Sequence, residues 1–132
     1  MAVVADTCVV IGFLRGTEPD KRCFAQLLKN GEGMLTAVTV FELLLGLEQN
    51  SKKQKVITQL IEFLKILPFD KEAAAITAKL EKELRRQGKV IGTRDVFIAG
   101  ICLAHQVPIL TGNLEHFKRV PGSKVVSPAS LI

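Results

Sequence analysis

Residues 93–111 read TRDVFIAGICLAHQVPILT, and this stretch decides the fold. Its middle part, VFIAGICLA, is apolar on every side, so a helix over residues 93–105 has to be buried between layers or in an interface. The run VPILT that follows, residues 107–111, reads as a short strand. A buried helix that leads directly into a short strand is the repeating unit of a parallel α/β sheet.

The same alternation of short strands and longer helices continues along the chain. The sequence predicts strands at 2–5, 33–38, 64–69, 107–111 and 123–127, and helices at 18–30, 39–49, 52–63, 71–87 and 93–105. Because no linker, repeat or low-complexity stretch interrupts the pattern, we expect residues 1–132 to form a single domain. The predicted fold class is α/β with a parallel sheet.

Composition narrows the class of protein further. A hydrophobic content of 48% is enough for a well-buried core, whereas the apolar runs stop well short of the ~20 residues of a membrane span. The start of the chain has no basic and apolar leader, so we expect a soluble, cytoplasmic protein that does not bind a membrane. The three cysteines, Cys8, Cys23 and Cys102, form no CxxC pair and are expected to be small core residues in a reducing compartment.

The chain is basic, with 18 Lys and Arg against 13 Asp and Glu and a formal net charge of +5. This balance favours a polyanionic partner such as RNA. The chain has no Trp or Tyr from which to build a base-stacking surface. Its glycines match neither GxGxxG nor GxxxxGK[ST], which argues against a nucleotide-binding loop.

Three acidic residues are predicted to meet at one edge of the sheet. Asp6 follows the first strand, Glu42 lies at the start of the helix after the second strand, and Asp95 opens the helix before the fourth. In a parallel α/β sheet all strands end on the same edge, which is where ligands bind. Thr111 and Asn113, at the end of the fourth strand, belong to the same edge.

Each acid also has a structural explanation. Asp6 fits the N-cap of a short helix through TCVVIGFL, and Glu42 fits a capping box with Thr39. Asp95 fits a helix dipole, at position N2 if Thr93 is the N-cap. Carboxylates gathered at one edge repel each other unless a cation lies between them, and an all-oxygen set suits Mg²⁺ or Mn²⁺. A metal-binding edge on a basic chain indicates phosphodiester chemistry.

Four stretches, VVADTCVVIGFLRG, TAVTVFELLLG, IGTRDVFIAGICLA and ILTGNLEHFKRVPG, resemble in order and spacing the PIN-domain ribonucleases. The nearest likeness is to the VapC-type toxins of prokaryotic toxin–antitoxin pairs. The resemblance implies a three-layer α/β/α sandwich with a parallel sheet of about five strands in flavodoxin-like order, and Mg²⁺- or Mn²⁺-dependent endoribonuclease activity. It also implies a homodimer and a small VapB-type antitoxin that binds around helices 39–49 and 52–63.

The same resemblance assigns roles within the candidate site. It implies that Asp6, Glu42 and Asp95 bind the metal and that the hydroxyl of Thr7 supports them. The family often has a fourth acid after the fourth strand, where this chain has Asn113 and His116. One or two metal ions therefore both stay open, and His116 is interpreted either as a general acid or as a polar loop residue. Arg94, Lys118 and Arg119 are the candidates for RNA phosphate contacts.

Two other classes of function compete with a nuclease. One is an RNA-binding or assembly module of the same fold with weak or no catalysis, which the missing fourth acid leaves open. The other is a receiver-type Mg²⁺-binding signalling domain. That domain needs adjacent acids after the first strand, whereas Asp6 stands alone there.

Overall fold

The computed structural model of the chain describes residues 1–48 and 51–132. In chain order its elements are β1 (Val3–Ala5), α1 (Thr7–Arg15), α2 (Asp20–Asn30), β2 (Gly33–Thr36), α3 (Ala37–Leu45), α4 (Lys52–Phe63), β3 (Lys65–Leu67), α5 (Lys71–Arg86), α6 (Thr93–His105), β4 (Ile109–Leu110), α7 (Leu114–Lys118), β5 (Val125–Val126) and a 3₁₀ turn (Pro128–Leu131).

The five strands form one parallel sheet in the order β3-β2-β1-β4-β5. This confirms the predicted α/β class and the number of strands. The flavodoxin-like order 2-1-3-4-5 is wrong, because here β2 lies between β1 and β3. Receiver domains share the flavodoxin-like order, so the observed order also argues against that class. The chain reverses its direction of winding between β1 and β4, which opens a crevice at their carboxyl ends.

Side chains alternate across the sheet and pack into two cores, one on each face. Val4, Met34, Leu67 and Ile109 point into the core that α5, α6 and α7 cover. The side chains that alternate with these along the strands point into the opposite core, which lies under α1, α2 and α4. Helices therefore cover both faces, which confirms the three-layer α/β/α arrangement.

The central helix α6 begins and ends where the sequence predicts. Ile98, Ala99 and Ile101 are at most 1% exposed, as expected for a helix that is apolar all round. Gly100 lies against α5, where a Cβ would collide with the Thr77 hydroxyl. The close packing of these two helices thus depends on a residue without a side chain.

Several predicted boundaries are wrong, most clearly at β2 and α3. The strand predicted to end at 38 stops at Thr36, and the helix begins at Ala37 rather than at 39. Thr36 is the N-cap, and its hydroxyl accepts the N–H of Thr39 at 3.2 Å. The capping box of Thr39 with Glu42 is therefore wrong, because Thr39 already lies in the first turn. The described helix ends at Leu45, and the predicted end at 49 lies outside the described residues.

Two further expectations concern membranes and cysteines. In the described part of the chain, no helix is long and apolar enough to cross a bilayer.

Cys23 and Cys102 are buried as predicted, and burial raises the pKa of the Cys102 thiol to about 12. The expectation for Cys8 is wrong: it is exposed, because it lies at the open end of β1 beside Asp6.

Candidate active site

The candidate site lies where β1 and β4 end side by side. Asp6 directly follows β1, and Thr111 directly follows β4, its parallel neighbour. The Thr111 hydroxyl donates to Asp6 Oδ2 at 2.8 Å and accepts the backbone N–H of Asn113 at 2.9 Å. One hydroxyl thus fixes both the carboxylate and the loop that leads into α7.

Asp6 is a buried carboxylate at this crevice. It is 5% exposed, and its Oδ1 accepts the backbone N–H of Thr7 at 2.8 Å, so it is indeed the N-cap of α1. Burial raises the pKa of the Asp6 carboxyl; the hydrogen bond from Thr111 opposes this shift and the nearby charge of Asp95 adds to it. Within residues 1–48 and 51–132, no Lys, Arg or His forms an ion pair with Asp6.

Glu42 is held by a chain of buried hydroxyl groups. Thr7 Oγ1 donates to Glu42 Oε1 at 2.8 Å and lies 2.9 Å from Thr39 Oγ1. Because the Thr7 proton goes to Glu42, the Thr39 hydroxyl is the donor in the second contact. Thr36 Oγ1 in turn donates to Thr39 Oγ1 at 3.4 Å. Thr7 is therefore the member of this chain of three hydroxyls that contacts Glu42 directly.

The second oxygen of Glu42 faces Arg94. Arg94 Nη1 lies 3.5 Å from Glu42 Oε2, and the guanidinium carbon lies 5.2 Å from the ring centroid of Phe41. Arg94 belongs to the first turn of α6, whereas Phe41 and Glu42 belong to α3. The arginine therefore bridges the two helices at the rim of the site.

Asp95 contacts α7. Its Oδ2 lies 3.1 Å from His116 Nδ1, and the same ring nitrogen lies 2.9 Å from Asn113 Nδ2. The N-cap of α6 is Gly92 rather than Thr93, so Asp95 occupies position N3 and not N2. His116 lies in α7 and not on a loop, so the interpretation as a loop residue is wrong.

The structure thus brings together most of the predicted residues. Asp6, Thr7, Glu42, Thr111 and Asn113 are linked by hydrogen bonds in one connected group, and Asp95 acts on Asp6 through its charge. Lys118 and Arg119 lie at the end of α7; both are exposed, and Arg119 Nη1 donates to the Val90 carbonyl at 3.2 Å.

Sequence reasoning missed three contributors to this edge. Thr36 and Thr39 extend the hydroxyl chain, and Cys8 Sγ donates to Asp6 Oδ2 at 3.4 Å. Thr36 and Thr39 lie three residues apart at the end of a predicted strand, and this spacing could have indicated that their hydroxyls belong to the site. Cys8 lies two residues after Asp6, on the first turn of α1, where the sequence had offered a short helix through TCVVIGFL.

The donor groups suit a hard divalent cation. Asp6 is a buried carboxylate with no cationic side chain among its described partners, and a second carboxylate, Asp95, acts on it. Across residues 1–48 and 51–132, no three His, Cys, Asp or Glu side chains form a ready-made metal cage. Mg²⁺ is commonly held by one or two carboxylates with water and substrate phosphate, so this pair of acids fits that mode.

The chain belongs to the PIN-domain family, whose model matches residues 3–123. It is 32% identical to Ribonuclease VapC1 of Rickettsia felis, an alignment that covers 98% of both chains. It is 33% identical to the tRNA(fMet)-specific endonuclease VapC of Shigella flexneri, with 72% of this chain and 74% of that protein covered.

Solved structures share the fold. One is the DNA-bound VapBC of Salmonella typhimurium, with a TM-score of 0.81, 26% identity, and coverage of 97% of this chain and 98% of that one. Another is FitAcB of Neisseria gonorrhoeae, with a TM-score of 0.77, 31% identity, and coverage of 98% and 99%.

Proposed function

We propose that this chain is a metal-dependent endoribonuclease that hydrolyses RNA phosphodiester bonds, and that it is the toxin of a VapBC-type pair. The observation that carries the proposal is the buried carboxylate of Asp6 at the crevice between β1 and β4, without a cationic side chain among its described partners. Burying such a charge costs free energy unless something positive meets it, so the site is suited to a cation. The names of the relatives, ribonuclease and endonuclease, agree with this chemistry.

Asp6 and Asp95 are the residues that would hold Mg²⁺ or Mn²⁺, with Glu42 as a further ligand. When bound, such an ion supplies polarisation of the phosphate and a more acidic water. Thr111 keeps the Asp6 carboxylate oriented, and Thr7 does the same for Glu42, so neither acid has to be ordered when the substrate arrives. The imidazole of His116 holds Asp95 from the other side.

RNA would reach this edge along a basic rim. Arg94 lies beside Asp95 in the chain, and Lys118 and Arg119 end the helix that carries His116. Exposed Lys and Arg side chains neutralise phosphates without reading bases, so these residues would orient the strand rather than select its sequence. The net charge of +5 acts in the same direction.

The partner that we propose is a small VapB-type antitoxin, together with a second copy of the chain. Two solved relatives, VapBC and FitAcB, are similar to this chain over nearly its whole length. Both α3 and α4 have large apolar side chains at the surface, among them Leu44, Leu45 and Phe63 at 51%, 61% and 68% exposure. Burying such side chains is a strong driving force for association. We place the protein in the cytoplasm, where its RNA would be.

The test is RNA cleavage by the purified chain with Mg²⁺ or Mn²⁺, on total tRNA and on an unstructured RNA. We expect cleavage with either ion, none with EDTA, and a loss of at least about a hundredfold in Asp6→Asn. The matched control is Asp70→Asn. Asp70 follows β3 on the same edge of the sheet and caps α5, and Asn serves equally well as an N-cap.

Two results would contradict the proposal. Cleavage that survives Asp6→Asn to the level of Asp70→Asn would mean that the metal-site assignment is wrong. If the wild-type chain cuts neither RNA with either ion, the alternative function, a non-enzymatic RNA-binding or assembly module, is better supported than a nuclease.

A further inference from the structure

Arg94 is in an unusual position, because it binds a candidate metal ligand and lies next to another. Its guanidinium contacts Glu42 Oε2 at 3.5 Å, and the following residue in the chain is Asp95. A cation that binds Glu42 through this oxygen meets the positive charge of Arg94 at the same place. The guanidinium and the cation therefore compete for one carboxylate oxygen.

The two oxygens of Glu42 differ in how firmly they are held. Oε1 accepts from Thr7, whose hydroxyl belongs to the buried chain through Thr39 and Thr36. Oε2 faces Arg94, whose side chain is 51% exposed. An exposed ion pair of this kind contributes little stability, so it is easily exchanged for another partner.

The guanidinium also rests on an aromatic ring. The Arg94 guanidinium carbon lies 5.2 Å from the centroid of Phe41, which is itself 51% exposed. This cation–π contact keeps the guanidinium at the rim of the site when the ion pair with Glu42 is broken. A planar guanidinium that keeps its place there can present two N–H groups to a phosphate.

We propose that Arg94 competes with the divalent cation for Glu42 and binds the RNA phosphate next to the cleavage site when the cation takes that oxygen. The inference rests on the proposed function and adds a specific role for one residue. It predicts effects of opposite sign: Arg94 weakens metal binding in the absence of RNA and strengthens RNA binding in its presence. A purely structural role would not produce this pair of effects.

The test is a calorimetric Mn²⁺ titration of the full chain without RNA, followed by steady-state cleavage kinetics. We expect Arg94→Gln to bind Mn²⁺ roughly three- to tenfold more tightly, because Glu42 is freed and a positive charge is removed. We expect its KM for RNA to rise roughly tenfold.

Two control variants make the experiment specific. Arg85→Gln removes another exposed arginine whose Nε pairs with a carboxylate, Glu81, at 3.0 Å, on a helix away from the site. It is expected to change neither quantity by more than about twofold. Arg119→Gln removes a positive charge near the same edge, where the guanidinium contacts the Val90 carbonyl and not Glu42. It is expected to leave Mn²⁺ affinity unchanged.

The outcomes separate this inference from the proposed function. If the wild-type chain binds Mn²⁺ and cuts RNA but Arg94→Gln matches Arg85→Gln, the inference is wrong and the function stands. If Arg119→Gln tightens Mn²⁺ binding as much as Arg94→Gln, the contact with Glu42 is not the cause and the inference is also wrong. If the wild-type chain neither binds Mn²⁺ nor cuts RNA, both the inference about Arg94 and the proposed function are wrong.

Discussion

Asp6 combines a local structural role with a position that suits chemistry. Its side chain caps α1 through the Thr7 N–H, and its second oxygen takes the Thr111 hydroxyl from the neighbouring strand end. The sequence predicted both the N-cap and the edge, because both follow from an Asp placed directly after a buried strand. Its partners were harder to predict, since a hydroxyl 105 residues away becomes a neighbour only through the sheet.

The raised pKa of Asp6 leads to a stability prediction. Burial and the charge of Asp95 raise its pKa in the folded chain, so the ionised form destabilises the fold at pH 7 and the protonated form does not. We expect Asp6→Asn to increase the free energy of unfolding of the metal-free protein by about 1 kcal/mol at pH 7. The gain should disappear as the pH falls below 3.8, the ordinary pKa of an Asp.

Urea unfolding at pH 7 and at pH 3.5 measures this effect, with Asp70→Asn as the control that keeps its cap and stays within about 0.5 kcal/mol of wild type. If Asp6→Asn is less stable than this control at pH 7, the prediction is wrong. The carboxylate then stabilises the fold, because its contacts within the protein more than offset the free-energy cost of burying its charge.

At the scale of elements, the start of α3 was the least predictable part of the site. The stretch TAVTVFE offers two competing caps, Thr36 for a helix that starts at 37 and Thr39 for one that starts at 40. Thr36 succeeds because it ends β2, and the Thr39 side chain is then free to join the buried hydroxyl chain. By contrast, the bounds of α6 were predicted correctly. Its surface is apolar on every side, so a helix there has to be buried and no competing placement at the protein surface fits.

Because the N-cap is Thr36 and the carboxylate belongs to Glu42, separate substitutions can test the two roles. Thr36→Ala removes the acceptor of the Thr39 N–H and should lower the free energy of unfolding by about 1 kcal/mol or more. Glu42→Gln keeps an acceptor for the Thr7 hydroxyl and should change stability by less than about 0.5 kcal/mol, while RNA cleavage falls. Chemical denaturation and cleavage rates on the same preparations provide both numbers. Equal destabilisation by the two changes would assign Glu42 to the fold rather than to the site.

At the scale of the whole molecule, the predicted flavodoxin-like strand order is wrong, whereas the placement of Asp6, Thr111 and Asn113 at one edge of the sheet did not depend on that order. Residue patterns show where strands are, but not which strands are neighbours, since pairing depends on how the helices pack. Residues that follow strand ends still share one edge, because every strand of a parallel sheet ends on the same side whatever the order. What the order adds is the crevice between β1 and β4, which brings Asp6 and Thr111 into contact.

The central claim is that the acids at this crevice hold a divalent cation. Calorimetric titration of Mn²⁺ into the RNA-free protein tests it most directly, with wild type, Asp6→Asn, Asp95→Asn and Asp70→Asn compared. We predict that wild type and Asp70→Asn bind alike, and that Asp6→Asn and Asp95→Asn each lose at least about tenfold in affinity. Equal Mn²⁺ affinity in Asp6→Asn and Asp70→Asn would contradict the claim.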